Sequence, residues 1–176
     1  MLQSSNLRQP ISVSMHYLID GHNLIAHMPD IRLSDPDDEA QLVARLRRWQ
    51  AAGRKRRITL YFDGGLPGGR DPQLSTGSLK VVFASMGSEA DSLLVRRIRR
   101  VRNPPEFTVV TSDRAIITAA LDRGMPVIDS HSFSASLARE LDRRNEAEPS
   151  LSAKEAPELD EKELEEWMAL FRKGRE

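Results

Sequence analysis

The chain has 176 residues, of which 30% are charged and only 5% are aromatic, and its formal net charge is zero. This length suits one domain with a tail. The absence of cysteine excludes disulfides, thiolate zinc sites and cysteine nucleophiles, and it fits a reducing cytoplasm. No apolar run approaches the roughly 20 residues that span a bilayer, so we expect no membrane partner.

The zero net charge conceals an asymmetry between the body and the tail. Residues 1–145 carry 21 Lys and Arg against 16 Asp and Glu, a net charge of +5. Residues 146–176 carry 5 against 10, a net charge of −5. A basic body suits a polyanionic partner that is held by its phosphates.

The N-terminal residues 1–14 are polar and lack the apolar segment of a signal peptide. We expect them to be a disordered extension, unless translation starts at Met15. The first predicted strand is the apolar run that ends at Asp20, and a turn through Asn23 follows it.

A helix is predicted after this turn, with Asp35 as its N-cap and Pro36 as its first residue. The second predicted strand, residues 58–62, ends at Asp63. The following residues 64–69 contain four glycines and predict a mobile loop.

The second half of the chain alternates strands with helices. Further strands are predicted at 79–84, 107–111 and 126–128, and further helices at 89–101, 115–123 and 134–143. This alternation predicts an α/β fold with a mostly parallel sheet and helices on both faces. No helix is predicted between the second and third strands, so their relative direction stays open.

The tail is expected to be separate from the domain at residues 15–144. Residues 145–157 lack periodicity and predict a linker, and residues 158–176 predict an acidic amphipathic helix. We favour the interpretation in which this helix packs back on the domain. The alternative is a docking helix for a partner.

Acidic residues occur where predicted strands end. Asp20, Asp63 and Asp113 each follow a strand, while Glu89 and Asp91 open a helix just after one. In an open parallel sheet the carboxyl ends of the strands form the ligand-binding edge. Carboxylates gathered there repel one another unless a cation sits among them, and such oxygen ligands suit Mg²⁺ or Mn²⁺. The pattern predicts a metal-dependent phosphoryl-transfer site, and a nuclease ahead of other enzymes of that class.

The same residues also have structural explanations. Asp91 fits the third position of a capping box whose N-cap is Ser88. Asp113 fits a plain N-cap, and Asp63 fits the start of a turn. Asn23 fits turn chemistry, although it could also orient a water, a phosphate or the carboxylate before it. The combination of several acids after separate strands favours the metal site.

Basic residues are candidates for holding the phosphates of a nucleic acid. Runs of arginine are usually solvated surface, but here they are predicted to flank an acidic site in a basic body. Contacts of this kind position a nucleic acid without reading its sequence. The expected nucleic-acid-binding residues are Arg54, Lys55, Arg56, Arg96, Arg97, Arg100 and Arg114.

Four motifs occur in order along residues 15–142, and together they resemble a known family. They are Tyr17-Leu18-Ile19-Asp20-Gly21-His22-Asn23, Leu60-Tyr61-Phe62-Asp63-Gly64, Ser88-Glu89-Ala90-Asp91 and Val109-Val110-Thr111-Ser112-Asp113. This pattern resembles the YacP-like branch of NYN domains, which belong to the PIN-like nuclease superfamily. The chain departs from it at His22, where a tyrosine is usual, and the tail after Asn145 lies outside the pattern.

The resemblance implies a PIN-like sheet whose central strand ends at Asp20. It also implies Mg²⁺ or Mn²⁺ held by Asp20, Asp91 and Asp113. We further expect Glu89 and Asp63 to adjust the site, with Asp63 as an additional candidate metal ligand. The substrate would be single-stranded RNA, and the ribosome is an expected partner because members of this branch are similar to ribosome-associated mRNA endonucleases. Cleavage by an activated water would leave 5′-phosphate and 3′-hydroxyl ends.

Two other functions compete with this one. The first is a catalytically weak RNA- or ribosome-binding module that retains the fold. The second is a metal-dependent phosphatase, which is disfavoured because the haloacid dehalogenase type needs Asp-x-Asp after the first strand. This chain has Asp20-Gly21-His22 there.

Overall fold

The structure is a computed structural model that describes residues 15–52, 55–64, 69–85 and 89–147. The expected N-terminal extension, Arg54 and the predicted tail helix lie outside the described residues. Residues through Leu141 form one compact unit. The described part of the second unit, Asp142–Glu176, is the end of the last helix.

The described residues form six strands and five α-helices. The strands are β1 (His16–Asp20), β2 (Arg57–Phe62), β3 (Gly69–Arg70), β4 (Leu79–Phe83), β5 (Phe107–Val110) and β6 (Val127–Ile128). The helices are α1 (Gly21–Ile25), α2 (Asp38–Ala52), α3 (Ala90–Arg100), α4 (Arg114–Leu121) and α5 (Ser130–Ala147), and a short 3₁₀ turn spans Pro104–Glu106. None of these helices is long and apolar enough to cross a membrane.

The strands form one sheet in the order β3-β4-β2-β1-β5-β6. All neighbours run parallel except β3, which is an antiparallel edge strand against β4. β2 and β4 are therefore parallel, which answers the direction that the sequence left open. The chain passes from β1 to β2, β3 and β4 on one side and then crosses to β5 and β6 on the other side. The strand order therefore reverses at β1, the position where such sheets bind ligands.

Helices cover both faces of the sheet, because alternate residues of each strand point to opposite sides. On one face Tyr17 and Ile19 pack with buried residues of α1, α2 and α5. On the other face Leu18 packs with buried residues of α3 and α4. The predicted α/β class, with a mostly parallel sheet covered on both faces, is confirmed.

Several helix boundaries differ from the prediction. α2 begins at Asp38, since the Asp35 side chain instead accepts a hydrogen bond from the Arg32 amide at 3.1 Å. α5 extends from Ser130 to Ala147 and so includes the first residues of the predicted linker. The two short elements α1 and β3 were not predicted, because five and two residues carry too little periodicity to be recognised.

Candidate active site

The predicted carboxylates lie at one edge of the sheet, where the strands end. Asp20 is the last residue of β1, Asp63 follows β2, Asp91 lies in the first turn of α3, and Asp113 follows β5 as the N-cap of α4. Their charges influence one another. Burial and then the charges of Asp91 and Asp63 raise the pKa of Asp20, and burial and then the charges of Asp113, Asp63 and Glu89 raise that of Asp91. The tertiary structure therefore gathers all five acids into what we call the carboxylate edge.

Asp20 is the most buried of these acids, with 6% of its surface exposed. Burial, and to a smaller extent the negative charges of Asp91 and Asp63, raise the pKa of its carboxyl group to about 6. Two hydrogen bonds act in the opposite direction. Oδ1 accepts from the Asn23 amide at 3.2 Å, and Oδ2 accepts from the Thr111 hydroxyl at 3.0 Å.

Thr111 connects two of the acids and was not singled out from the sequence. It is fully buried, and its Oγ1 donates to Asp20 while accepting from the Asp113 amide at 3.1 Å. A hydroxyl can do both because it is donor and acceptor at once. The only sequence signal was a threonine between a strand and a helix N-cap, which by itself indicates nothing about Asp20.

The side chain of Asn23, in α1, forms hydrogen bonds with the segment after β5 and with the start of α5. Its Oδ1 accepts hydrogen bonds from the Ser112 amide at 2.9 Å and from the Ser130 hydroxyl at 2.7 Å. The Ser112 hydroxyl in turn accepts from the Ser130 amide at 3.1 Å. Among the roles considered from the sequence, orientation of Asp20 is served by the backbone amide of Asn23, which donates to Asp20 Oδ1, while its side-chain oxygen accepts from two other protein donors.

The start of α3 is fixed by Asp63 and not by the predicted capping box. The N-cap of α3 is Glu89, whose side chain makes no capping hydrogen bond, and Asp91 is the second helical residue. The Asp63 carboxylate accepts from the Ala90 amide instead. Ser88, the predicted N-cap, lies outside the described residues. Asp63 attaches the end of β2 to the helix that carries Asp91.

Asp113 was predicted either to cap a helix or to belong to the acidic site, and its contacts are compatible with both roles. Its Oδ1 accepts from the Ala115 amide at 2.8 Å and the Ile116 amide at 3.1 Å, so it caps α4. The same carboxylate raises the pKa of Asp91, so its charge is also felt within the carboxylate edge. A capping carboxylate retains further lone pairs, and the cap does not prevent a second role.

His22 also lies beside the carboxylate edge, although no role was assigned to it from the sequence. Its Nε2 is 3.3 Å from Glu39 Oε1, and its Nδ1 is 3.8 Å from Asp63 Oδ2. The imidazole ring packs against Phe62 with centroids 5.1 Å apart. Glu39 belongs to the first turn of α2, so no local pattern predicted this contact.

Gly21 allows the turn after Asp20 to pack closely on β2. A Cβ at this position would lie 2.2 Å from Phe62 Cε1 and 2.8 Å from the Tyr61 carbonyl oxygen. Neither distance is compatible with a side chain. Glycine is therefore required here by the close approach of the Phe62 ring and the Tyr61 carbonyl oxygen.

The carboxylate edge fits a hydrated divalent ion better than an ion enclosed by protein. Within the described ranges, no three Asp, Glu or His side chains are grouped so that they could hold a metal by themselves. Mg²⁺ usually retains several waters and binds through one or two carboxylates. The raised pKa values of Asp20 and Asp91 come partly from neighbouring negative charges, which a cation would neutralise.

The predicted RNA-binding residues divide between the two edges of the sheet. Arg114 is exposed at the start of α4, next to Asp113. Arg96 and Arg100 are exposed on α3, five and nine residues after Asp91, so Arg100 lies at the end of the helix that is far from the acids.

The remaining predicted contacts lie at the opposite edge. Lys55 and Arg56 precede β2 and so lie at the amino edge, as does Arg97, whose guanidinium is 5.5 Å from the centroid of Phe107 at the start of β5. The expectation that the run at 54–57 flanks the acids is wrong for its described members, because a whole strand separates them.

Comparison with known proteins identifies similar sequences and folds. The sequence model of the family described as YacP-like NYN domain matches residues 17–172. The matched range extends beyond Asn145, so the tail, expected to be outside the family pattern, falls within it. No curated protein matches the chain.

Two crystal structures of Rae1 (YacP) from Bacillus subtilis have a similar fold. One is a tryptophan-to-leucine mutant, with a TM-score of 0.63 and 17% identity, over 81% of this chain and 86% of that chain. The other has a TM-score of 0.57 and 20% identity, over 90% and 93%. At these identities the likeness concerns the fold, and it agrees with the predicted PIN-like sheet.

Proposed function

The chain belongs to the YacP-like NYN domain family, a nuclease-type family related to RNA, and we propose that it is a metal-dependent endoribonuclease acting on single-stranded RNA. One observation carries the proposal. Asp20 is a buried carboxylate held by Thr111 and Asn23 among other acids, at the point where the strand order reverses. Clustered acids with raised pKa values at such a position are typical of functional sites.

In this proposal Asp20, Asp91 and Asp113 hold Mg²⁺ or Mn²⁺, with Asp63 and Glu89 nearby. When bound, the ion would lower the pKa of a water and offset the charge that develops on the phosphate. Hydrolysis then leaves 5′-phosphate and 3′-hydroxyl ends. The protein acts in the cytoplasm, and the ribosome is a proposed partner.

The other residues of the carboxylate edge orient these groups. Thr111 and Asn23 fix the rotamer of Asp20, and Asp63 fixes the helix that carries Asp91. Glu89 is exposed at the N-cap of α3, where its carboxylate can accept a proton from water. The guanidinium of Arg114, beside Asp113, is placed to hold a phosphate of the RNA.

Cleavage of an end-labelled single-stranded RNA tests this function. The purified chain is incubated with Mn²⁺, Mg²⁺ or EDTA, beside Asp20→Asn and Asp91→Asn. Asp122→Asn is the matched control, because Asp122 is an exposed residue at the other end of α4. We expect metal-dependent internal cuts that both site variants lose and the control retains. Cleavage that persists in EDTA or in both site variants contradicts the proposal.

A second candidate is a catalytically weak module that binds RNA or the ribosome. It is favoured by the absence, in the part of the chain that the structure describes, of three acids arranged to hold a metal directly. Such a module would bind RNA equally well with and without metal. Repeating the cleavage assay on translating ribosomes separates the two, since an enzyme that needs the ribosome cuts there and a binding module does not.

A further inference from the structure

A basic cleft lies at the amino edge of the sheet, between the end of α2 and the starts of β2 and β4. Its volume is about 740 Å³. We call it the amino-edge cleft and define it by Arg47, Gln50, Lys55, Arg56, Arg57 and Ser78. It shares no residue with the carboxylate edge, and the proposed function does not use it.

The walls of the cleft are held in place by internal hydrogen bonds. Gln50 Nε2 donates to the carbonyl oxygens of Arg56 at 2.8 Å and Ser78 at 2.9 Å, which joins its two sides. Arg47 Nη2 donates to the Leu74 carbonyl at 2.9 Å. These hydrogen bonds fix the shape of the cleft, because they hold the side chains of its walls in defined positions.

Arg56 contributes to a wall and has little freedom to contact a ligand. Its guanidinium pairs with Glu140 at 2.9 Å, donates to the Trp49 carbonyl at 2.7 Å and lies 4.0 Å from the centroid of the Trp49 ring. These contacts occupy the side chain from several directions. The proposal is therefore best tested at other basic residues that line the cleft.

The cleft is suited to an anion because every ionisable residue that lines it is cationic. Arg47 Nε is buried and has no hydrogen-bond partner among the described residues, which is costly for a cationic donor. The surrounding edge is also positive. Burial and then the charges of Arg97, Arg57 and Lys80 lower the pKa of nearby His16 to about 4.

The distance between the two sites follows from the length of β2. The strand has six residues from Arg57 to Phe62, with the cleft at its start and Asp63 after its end. At about 3.3 Å per residue this separation is roughly 20 Å. A group bound in the cleft is therefore too far from the carboxylate edge to be the phosphate that is cleaved.

We propose that the amino-edge cleft binds a backbone phosphate of RNA and anchors the molecule at a distance from the site of cleavage. The choice of RNA as the anion rests on the proposed function. Contacts of this kind add affinity without reading sequence, and they make binding dependent on salt. Lys55 and Arg57 are the cleft residues best placed for the test, because both are exposed and removing their charge leaves the bonds of Gln50 and Arg47 intact.

The experiment measures RNA affinity separately from cleavage. Binding of a single-stranded RNA of about 20 nucleotides, longer than the site of one small binding domain, is measured in EDTA and in an Asp91→Asn background. Lys55→Gln with Arg57→Gln is compared with a control, Arg32→Gln with Arg102→Gln, which removes two charges from exposed positions elsewhere. A further variant, Lys55→Arg with Arg57→Lys, keeps both charges. Inorganic phosphate is titrated as a second ligand, and circular dichroism checks each fold.

We expect the cleft variant to bind RNA about tenfold more weakly, with the salt dependence of log K reduced by about 1.4 for two lost contacts. The control should change less than about twofold, and the charge-retaining variant should restore binding. Equal affinities of the cleft variant and the control would overturn the proposal. The proposal would also be overturned if the cleft binds inorganic phosphate but the cleft variant binds RNA as tightly as the wild type does. Because cleavage is not measured, a chain without nuclease activity would leave this result equally decisive.

Discussion

The hydroxyl of Thr111 donates a hydrogen bond to Asp20 Oδ2 across 3.0 Å, although the two residues are 91 positions apart in the chain. This bond stabilises the charged form of the carboxylate and opposes the effect of burial on its pKa. It also joins the ends of the neighbouring strands β1 and β5. The charge of Asp20 is thus controlled by a residue outside its own motif.

Thr111→Val should raise the pKa of Asp20 above about 6, because valine has a similar shape and no hydroxyl. For the proposed nuclease, the acid limb of the pH–rate profile should move up by about one pH unit, as expected for one lost bond to a charged group. The profile of kcat/KM measured between pH 5 and 8 checks this. Thr111→Ser retains the hydroxyl and should keep the original profile. If the valine variant also keeps it, the hydrogen bond does not control the carboxylate.

Asp20→Asn should stabilise the protein in EDTA near pH 7 more than near pH 4. The folded-state pKa of about 6 exceeds the ordinary value of 3.8, so the folded state binds more protons across this range and stability falls as pH rises. Removing the charge should recover up to about 3 kcal/mol in the free energy of unfolding near pH 7. Urea denaturation at both pH values measures it. Asp122→Asn, at an exposed site, should show no such difference, and equal effects at Asp20 would contradict the prediction.

His16→Gln should reduce the loss of stability on acidification. The His16 pKa of about 4 lies below the ordinary 6.5, so the unfolded chain takes up the proton first as pH falls, and stability is lost between these values. The loss should amount to about 2 kcal/mol for a half-buried ring, and the variant should lack it. The comparison must be between wild type and variant, since Asp20 acts in the opposite direction over an overlapping range. Parallel stability curves for the two proteins would refute it.

Gly21→Ala should destabilise the fold by about 3 kcal/mol, because the new Cβ would lie 2.2 Å from the Phe62 ring and 2.8 Å from the Tyr61 carbonyl oxygen. Thermal unfolding measures the cost. Gly77→Ala is the control, since an added Cβ there meets nothing within 4 Å. Replacing Phe62 by leucine in the alanine variant should restore only part of the stability, because the backbone contact remains. A Tm equal to that of the control would show that this turn can shift without cost.

The fold was largely predictable from local patterns. Apolar runs of four to six residues followed by an acid or a turn marked the longer strands, and alternation with helical segments implied a parallel sheet. Helix starts were less predictable. Asp35 was predicted as an N-cap, but its side chain accepts a hydrogen bond from the Arg32 amide. Asp63, which follows β2, instead accepts from the first amide of the distant helix α3. Capping carboxylates compete for several nearby amides, and the sequence does not show which of them is within reach.

The candidate site was predictable as a set of acids and unpredictable as a set of contacts. Asp20, Asp63, Asp91 and Asp113 could be placed at one edge because strand ends converge in a parallel sheet. Thr111 could not be identified as a partner of Asp20, and the placement of Arg56 beside the acids was wrong. Its guanidinium pairs with Glu140 on α5, at the opposite edge.

The sequence by itself determined the alternation of strands and helices and the convergence of the acids, because both follow from the period of apolar residues and the direction of neighbouring strands. Only the tertiary structure decided that Asp20 is the buried acid, that the Thr111 hydroxyl donates to it, and that Arg56 lies at the opposite edge of the sheet. Burial, and the pKa shifts that it causes, depend on atoms contributed by distant segments. Those atoms become neighbours only when β1 lies between β2 and β5.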